Sequence, residues 1–170
     1  MTPLRLSDAK WTFATRHVRR QDAAALCAHV GAARAGELIL ARVEKMGGHK
    51  RVQLSDGRHS ALWDGDRIVV ACGDRYAVDQ FEGSARIAPD DCWLLAGGGL
   101  AGRLDARHEK MSAPTRLTPI GRVVDRRGAP LALHRYALPR GAGGRPDVVI
   151  GVVGAGMNAG KTTAAAALIR

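Results

Sequence analysis

Residues 36–138 are divided by turn-forming dipeptides into apolar segments that are too short for stable helices. Two of these segments, residues 38–43 and Arg67–Cys72, are rich in Leu, Ile and Val. Between them lies Asp56-Gly57, a pair that tolerates positive φ and is typical of a β-hairpin turn. Short strands spaced about 8–12 residues apart are characteristic of small all-β domains. Residues 36–138 are therefore predicted to form one β-rich domain, a small barrel or sandwich.

The same spacing predicts further strands in this domain, with a hairpin turn at Arg127-Gly128. The remaining strand candidates are residues 51–54, 60–63, Trp93–Ala96, 117–124 and 131–137. Residues 1–35 are expected to form an N-terminal arm and a short Ala-rich helix over residues 22–30. Residues 139–146 contain three Gly and two Pro and are predicted to be a linker.

Composition favours a packed but strongly basic protein. Hydrophobic residues make up 46% of the chain and aromatic residues 4%, so the expected core is mainly aliphatic. Lys and Arg outnumber Asp and Glu by 26 to 16, a surplus that attracts polyanions. A nucleic-acid or protein partner for the β-domain is therefore one expectation. Two basic clusters are candidates for phosphate contacts: His49-Lys50-Arg51, and Arg103, Arg107, His108 and Lys110.

The three cysteines indicate neither a metal site nor a redox pair. Cys27, Cys72 and Cys92 share no short spacing, so we expect buried free thiols in a reducing compartment. Residues 1–20 lack the apolar run of a signal peptide. The longest apolar stretches are much shorter than a membrane span. A cytoplasmic protein without a membrane partner is expected.

Residues 147–170 carry the pattern with the clearest chemistry. Residues 147–153 are almost continuously apolar, as in a strand buried on both faces. They lead into a glycine-containing loop that ends in Gly160-Lys161-Thr162, and an Ala-rich helix-forming run follows. The match is the [Ala/Gly]-x4-Gly-Lys-[Ser/Thr] form of the phosphate-binding loop, with Ala155 in the first position.

Each position of this loop has an expected role with a nucleoside triphosphate. Backbone N–H groups and the helix N-terminus would surround the phosphates, and Gly156 and Gly160 leave room for their approach. Lys161 is the catalytic candidate, contacting the β- and γ-phosphates, and Thr162 the Mg²⁺ ligand. The expected nucleotide-binding residues are Ala155, Gly156, Met157, Asn158, Ala159, Gly160, Lys161, Thr162 and Thr163.

On these residues the chain resembles the P-loop NTPase superfamily over residues 148–170. Residues 157–162 look like the loop of bacterial thymidine kinases, and also like the ParA and dethiobiotin-synthetase class, in which a GKTT run is frequent. The resemblance implies ATP or GTP with Mg²⁺, and hydrolysis or phosphoryl transfer by the complete protein. A full domain of this type needs on the order of 100 further residues. Residues 147–170 are therefore expected to be its start, and the fragment by itself to be inactive.

Two other functions remain open from sequence. Residues 97–102 fit the G-x-G-x-x-G pattern after the apolar segment Trp93–Ala96, and Asp125 stands near the position of a ribose-binding acid. A dinucleotide-dependent enzyme using Gly97 to Gly102 is thus one alternative. A non-enzymatic, basic nucleic-acid-binding module is the other.

Overall fold

The computed structural model describes residues 6–77, 80–139, 148–156 and 159–169. The chain divides into two compact units, Met1–Ala137 and Leu138–Arg170. Most of the predicted linker, residues 140–146, lies outside the described residues. In the described ranges, no helix has the length and apolar character needed to cross a bilayer.

The first unit consists of β-strands and short 3-10 helices. Its strands are β1 (Lys10–Trp11), β2 (Ala25–Cys27), β3 (Leu38–Lys45), β4 (Arg51–Gln53), β5 (His59–Ala61), β6 (Arg67–Cys72), β7 (Arg75–Tyr76), β8 (Phe81–Ser84), β9 (Trp93–Ala96), β10 (Leu100–Arg107) and β11 (Thr115–Val124). The 3-10 helices are Leu6–Asp8, Phe13–Thr15, Arg20–Asp22, Val30–Ala32 and Leu133–Tyr136. Within its described residues, the second unit contains one helix, α1 (Lys161–Ile169).

Five strands close into a small barrel, which confirms the β-rich domain and decides between barrel and sandwich. The order around the barrel is β6-β3-β11-β9-β10, and β10 pairs back onto β6. Four of the five pairings are antiparallel, whereas β10 and β6 are parallel. Strands β4 and β5 form a separate hairpin around the predicted Asp56-Gly57 turn, with Gly57 at φ +88°.

Closure of the barrel depends on a shared edge of β6. The first half of that edge pairs with β1 and the second half with β10. Thr12 lies beside the junction, where its hydroxyl donates to the Val69 carbonyl at 2.7 Å. Two residues further along β6, the Ala71 amide donates to the Gly99 carbonyl at 2.9 Å. One strand edge is thus satisfied by two segments that are far apart in the sequence.

Strands β3 and β6 are buried on both faces because the chain covers the outside of the barrel as well as filling its inside. The interior cluster contains Ile39, Ala41, Val43, Ile68, Val70, Cys72, Cys92, Leu94, Ala101 and Leu117. The outer cluster contains Ala9, Trp11, Val18, Leu38, Leu40, Val69, Ala71, Val123 and Leu131. Both clusters are mainly aliphatic, as composition predicts.

The N-terminal arm is part of this outer cluster, and the helix predicted over residues 22–30 is wrong. Trp11 is only 3% exposed, so the segment packs against the barrel. The predicted helix is replaced by the 3-10 turn Arg20–Asp22 and by β2, which pairs with β11. A nine-residue helix is marginal in water, whereas the edge of β11 offers a full set of backbone partners.

The strand predicted over residues 131–137 is also wrong. Leu131 donates its amide to Val123 and accepts from Leu38, so pairing begins there. It stops at once, since the chain forms the 3-10 helix Leu133–Tyr136. The Tyr136 hydroxyl donates to Asp22 at 2.8 Å, a contact that depends on this turn. Tertiary contacts therefore override the apolar pattern of the segment.

The shared edge of β6 predicts unequal effects for substitutions at two adjacent glycines. Gly99 has φ +96°, and a β-carbon there would lie 1.9 Å from the Thr12 hydroxyl oxygen. Gly98 has open space around the same position. Gly99→Ala should lower the free energy of unfolding by about 3 kcal/mol or more, through strain and overlap. Gly98→Ala should change it by less than about 1 kcal/mol. Urea denaturation of both variants measures this difference. Equal stabilities would contradict the close packing of Gly99 against Thr12.

Burial of two cysteines predicts selective thiol chemistry. Burial raises the pKa of Cys72 to about 11 and that of Cys92 to about 12. Both thiols therefore stay protonated and unreactive near neutral pH, because the thiolate is the nucleophile. Cys27 is half-buried. Titration of the native protein with a disulfide reagent at about pH 8 should modify Cys27 first, and unfolding should release Cys72 and Cys92. Equally rapid modification of all three thiols in the native protein would contradict this packing.

Candidate functional site

The apolar run before the loop does not form the predicted buried strand. Residues 148–153 have no regular secondary structure. Ile150 is 68% exposed and Val153 90% exposed. A strand buried on both faces needs neighbouring strands and covering helices. In the described part of the second unit there is only one helix, so nothing is present there to pair with this run.

The loop that follows folds back toward its own lysine. The Lys161 ammonium donates to the Gly156 carbonyl. A β-carbon placed on Gly154 would lie 3.0 Å from the Ala159 β-carbon and 3.1 Å from Lys161 Cγ. Both ends of the loop therefore approach the lysine side chain closely, and a side chain on Gly154 would crowd this approach.

Helix α1 begins directly at the lysine. Gly160 has φ +77°, a conformation that favours glycine, and its carbonyl accepts the Ala164 amide at 2.9 Å. The amides of the first helical turn have no intrahelical acceptor, so they are available to an anion. Thr162 and Thr163 are exposed in this turn. The predicted helix is thus confirmed, and its first turn begins at the lysine.

Most of the predicted nucleotide-binding residues are described. Ala155, Ala159 and Gly160 are exposed, and Gly156 and Lys161 are half-buried. Met157 and Asn158 lie outside the described residues, as does Asp147 at the start of the apolar run.

Charge at this loop suits a polyphosphate. Residues 148–170 contain no Asp or Glu, whereas they include Lys161. The N-terminal end of α1 adds the positive end of the helix dipole. In this structure the Lys161 ammonium donates a hydrogen bond to the Gly156 carbonyl, and a phosphate oxygen can replace that carbonyl as the acceptor. The residues present therefore fit the phosphate groups of a nucleotide.

Comparison with known protein families, curated proteins and solved structures gives no match for this chain.

The glycines at 97–102 do not have the surroundings of a dinucleotide site. A tight turn at Gly97–Gly99 joins β9 to β10, which pair antiparallel. The pattern requires a helix after the glycines, and β10 takes its place. Gly102 lies inside β10, where a β-carbon would be 2.3 Å from the Ser84 carbonyl oxygen. Gly99 and Gly102 permit close packing of neighbouring segments. The interpretation of this motif as a dinucleotide site is therefore wrong.

Asp125, the expected ribose-binding acid, is engaged within its own turn. Its carboxylate accepts the amides of Arg127 and Ala129 at 2.9 and 3.0 Å, and the Arg135 guanidinium at 3.0 Å. The Ala129 amide, the Arg135 side chain and the Arg127 amide hold the pKa of Asp125 below its usual value. The residue stabilises the predicted Arg127-Gly128 turn.

The fold keeps the first basic cluster together and divides the second. His49, Lys50 and Arg51 line one cavity together with Gly97 and Gly98. The second cluster is divided, because Arg103 lines one surface cavity while Arg107 and His108 line another. Arg103 is also paired with Asp105 at 2.6 Å. The convergence of the first cluster with the glycine turn could not be derived from their spacing, since about 45 residues separate them.

Proposed function

We propose that residues 155–163 bind the phosphates of ATP or GTP together with Mg²⁺, as the nucleotide site of a P-loop NTPase or nucleotide-dependent kinase. The observation that carries the proposal is the return of the loop onto the Lys161 ammonium at the N-terminus of α1. This arrangement places a cation, helix amides and flexible glycine backbone around one point. Those are the groups that recognise a polyphosphate.

Each side chain has a separate task in this proposal. Lys161 exchanges the Gly156 carbonyl for oxygens of the β- and γ-phosphates. The Thr162 hydroxyl serves as a Mg²⁺ ligand, and Thr163 contacts a phosphate further along the nucleotide. Bound Mg²⁺ neutralises phosphate charge, and the chain's own residues position the phosphates. In this proposal, the complete protein hydrolyses the nucleotide or transfers its γ-phosphate.

Replacement of the lysine tests this site most simply. Lys161→Ala removes the ammonium and leaves the loop amides in place. A charge-assisted hydrogen bond contributes about 1.5–3 kcal/mol, so triphosphate affinity should fall about 10- to 150-fold. Thr162→Ala should weaken binding with Mg²⁺ and have little effect when the metal is chelated. Calorimetric titration of the protein in its full encoded length, with ATP and with GTP, measures both effects.

Two glycines provide a matched backbone comparison. Gly160→Val places a branched side chain at φ +77° and blocks the approach of phosphate, so affinity should be lost. Gly151 lies before the loop, with nothing within 4 Å of an added β-carbon. Gly151→Val should therefore retain affinity. Wild-type affinity in both Lys161→Ala and Gly160→Val would show that nucleotide binds elsewhere.

A further inference from the structure

A cavity of about 500 Å³ on the barrel joins two sequence signals that lie far apart in the chain. We call it the glycine-turn pocket, and its principal residues are His49, Lys50, Arg51, His59, Gly97 and Gly98. It lies where the β4–β5 hairpin meets the turn between β9 and β10. The ideal β-carbon position of Gly97 is 3.5 Å from the Arg51 carbonyl and 3.9 Å from His49 Cδ2. The glycine turn and the basic segment are thus in direct proximity.

The glycine turn that lines the pocket has two amides without an acceptor among the described residues. The Gly97 carbonyl accepts the Gln53 amide at 2.9 Å, and the Gly98 carbonyl accepts the Ala14 amide at 2.8 Å. Neither the Gly97 nor the Gly98 amide donates to any other described residue. The carbonyls of Gly97 and Gly98 are therefore occupied, whereas their two amides have no acceptor in the described part of the chain, as in a backbone site for an anion.

The side chains at this pocket supply positive charge without a compensating carboxylate. No Asp or Glu is among the described residues that line it. Lys50 and Arg51 are both exposed, and neither pairs with a carboxylate in the described part of the chain. Burial, and secondarily Arg75, lower the pKa of His49, so its ring is neutral at pH 7. Lys50 and Arg51 are thus the principal groups that would attract an anion.

An exposed aromatic residue lies next in the chain to the backbone partner of Lys50. The Leu62 amide donates to the Lys50 carbonyl at 3.0 Å, so the chain segments around these residues are adjacent. Trp63 follows Leu62 and is 70% exposed, whereas Trp11 is 3% exposed. A basic segment whose backbone neighbour is followed by an exposed aromatic residue offers the two kinds of group that bind single-stranded nucleic acids.

We propose that the glycine-turn pocket binds the phosphodiester backbone of single-stranded nucleic acid, with Trp63 as the stacking surface for a base. Lys50, Arg51 and the amides of Gly97 and Gly98 contact the phosphate, and the indole contacts the neighbouring base. A duplex hides its base faces, so the Trp63 contact selects the single strand. The site lies on the barrel and does not depend on nucleotide binding at Lys161.

Fluorescence anisotropy of the full chain with labelled oligothymidylate and oligouridylate of about 12 nucleotides tests this proposal, within the ~4–16 nucleotide range of single small barrels. Affinity should fall linearly in a log–log plot against salt. Trp63→Ala should weaken binding about fivefold or more, and Trp63→Phe should restore most of the loss. Arg51→Ala should lower the salt slope by about 0.7, as expected for one lost phosphate contact on a single strand.

Arg127→Ala is the matched control, because Arg127 is exposed in the turn after β11 and does not line this pocket. It should bind like the wild type. Thermal melting checks that every variant is folded. The proposal is overturned by absent binding at about 50 mM salt, or by equal losses in Arg51→Ala and Arg127→Ala. It is also overturned if the duplex of the same sequence, or a mononucleotide, binds as tightly as the single strand.

Discussion

The hydrogen bonds along the second edge of β6 hold the first unit together. One half of this edge is covered by β1, near the start of the chain, and the other half by β10. The hydroxyl of Thr12 and the absence of a side chain at Gly99 allow the two segments to meet. Because an open edge exposes unpaired N–H and C=O groups, this closure converts a curved sheet into a barrel. The same closure brings the glycine turn against the basic start of β4, so the candidate pocket on the barrel depends on it.

The second unit differs from the first, because the groups of its candidate site are neighbours in the sequence. A glycine in the left-handed conformation, a lysine and a helix start are consecutive in sequence, and no long-range pairing is needed to place them. The hydrogen bond from Lys161 to the Gly156 carbonyl is therefore present even though the apolar run before the loop is exposed. The helix N-terminus is the part of this segment on which the proposed nucleotide site rests, whereas the exposed apolar run departs from the buried strand that the pattern predicted.

Local signals predicted a large part of the structure. Arg67–Cys72 and Trp93–Ala96 are strands with the expected bounds, and α1 begins at Lys161 as the loop pattern requires. Residues 22–30 and 131–137 were predicted incorrectly, because β11, Asp22 and the outer cluster decide their conformation. The glycines at 97–102 have the spacing of a dinucleotide motif, yet their neighbours in space are strands. The pocket on the barrel was not predictable, since Arg51 and Gly97 meet only after closure.

Amide chemical shifts of the ¹⁵N-labelled protein, in its full encoded length, test the proposed nucleotide site residue by residue. Titration with ATP and Mg²⁺ should perturb the amides of Gly156, Gly160 and Lys161, and Lys161→Ala should need higher nucleotide concentrations for the same shifts. The amides of the barrel strands should remain unchanged. Unchanged loop amides in the presence of saturating nucleotide, with perturbations at Gly97 and Gly98 instead, would contradict the assignment of nucleotide binding to residues 155–163.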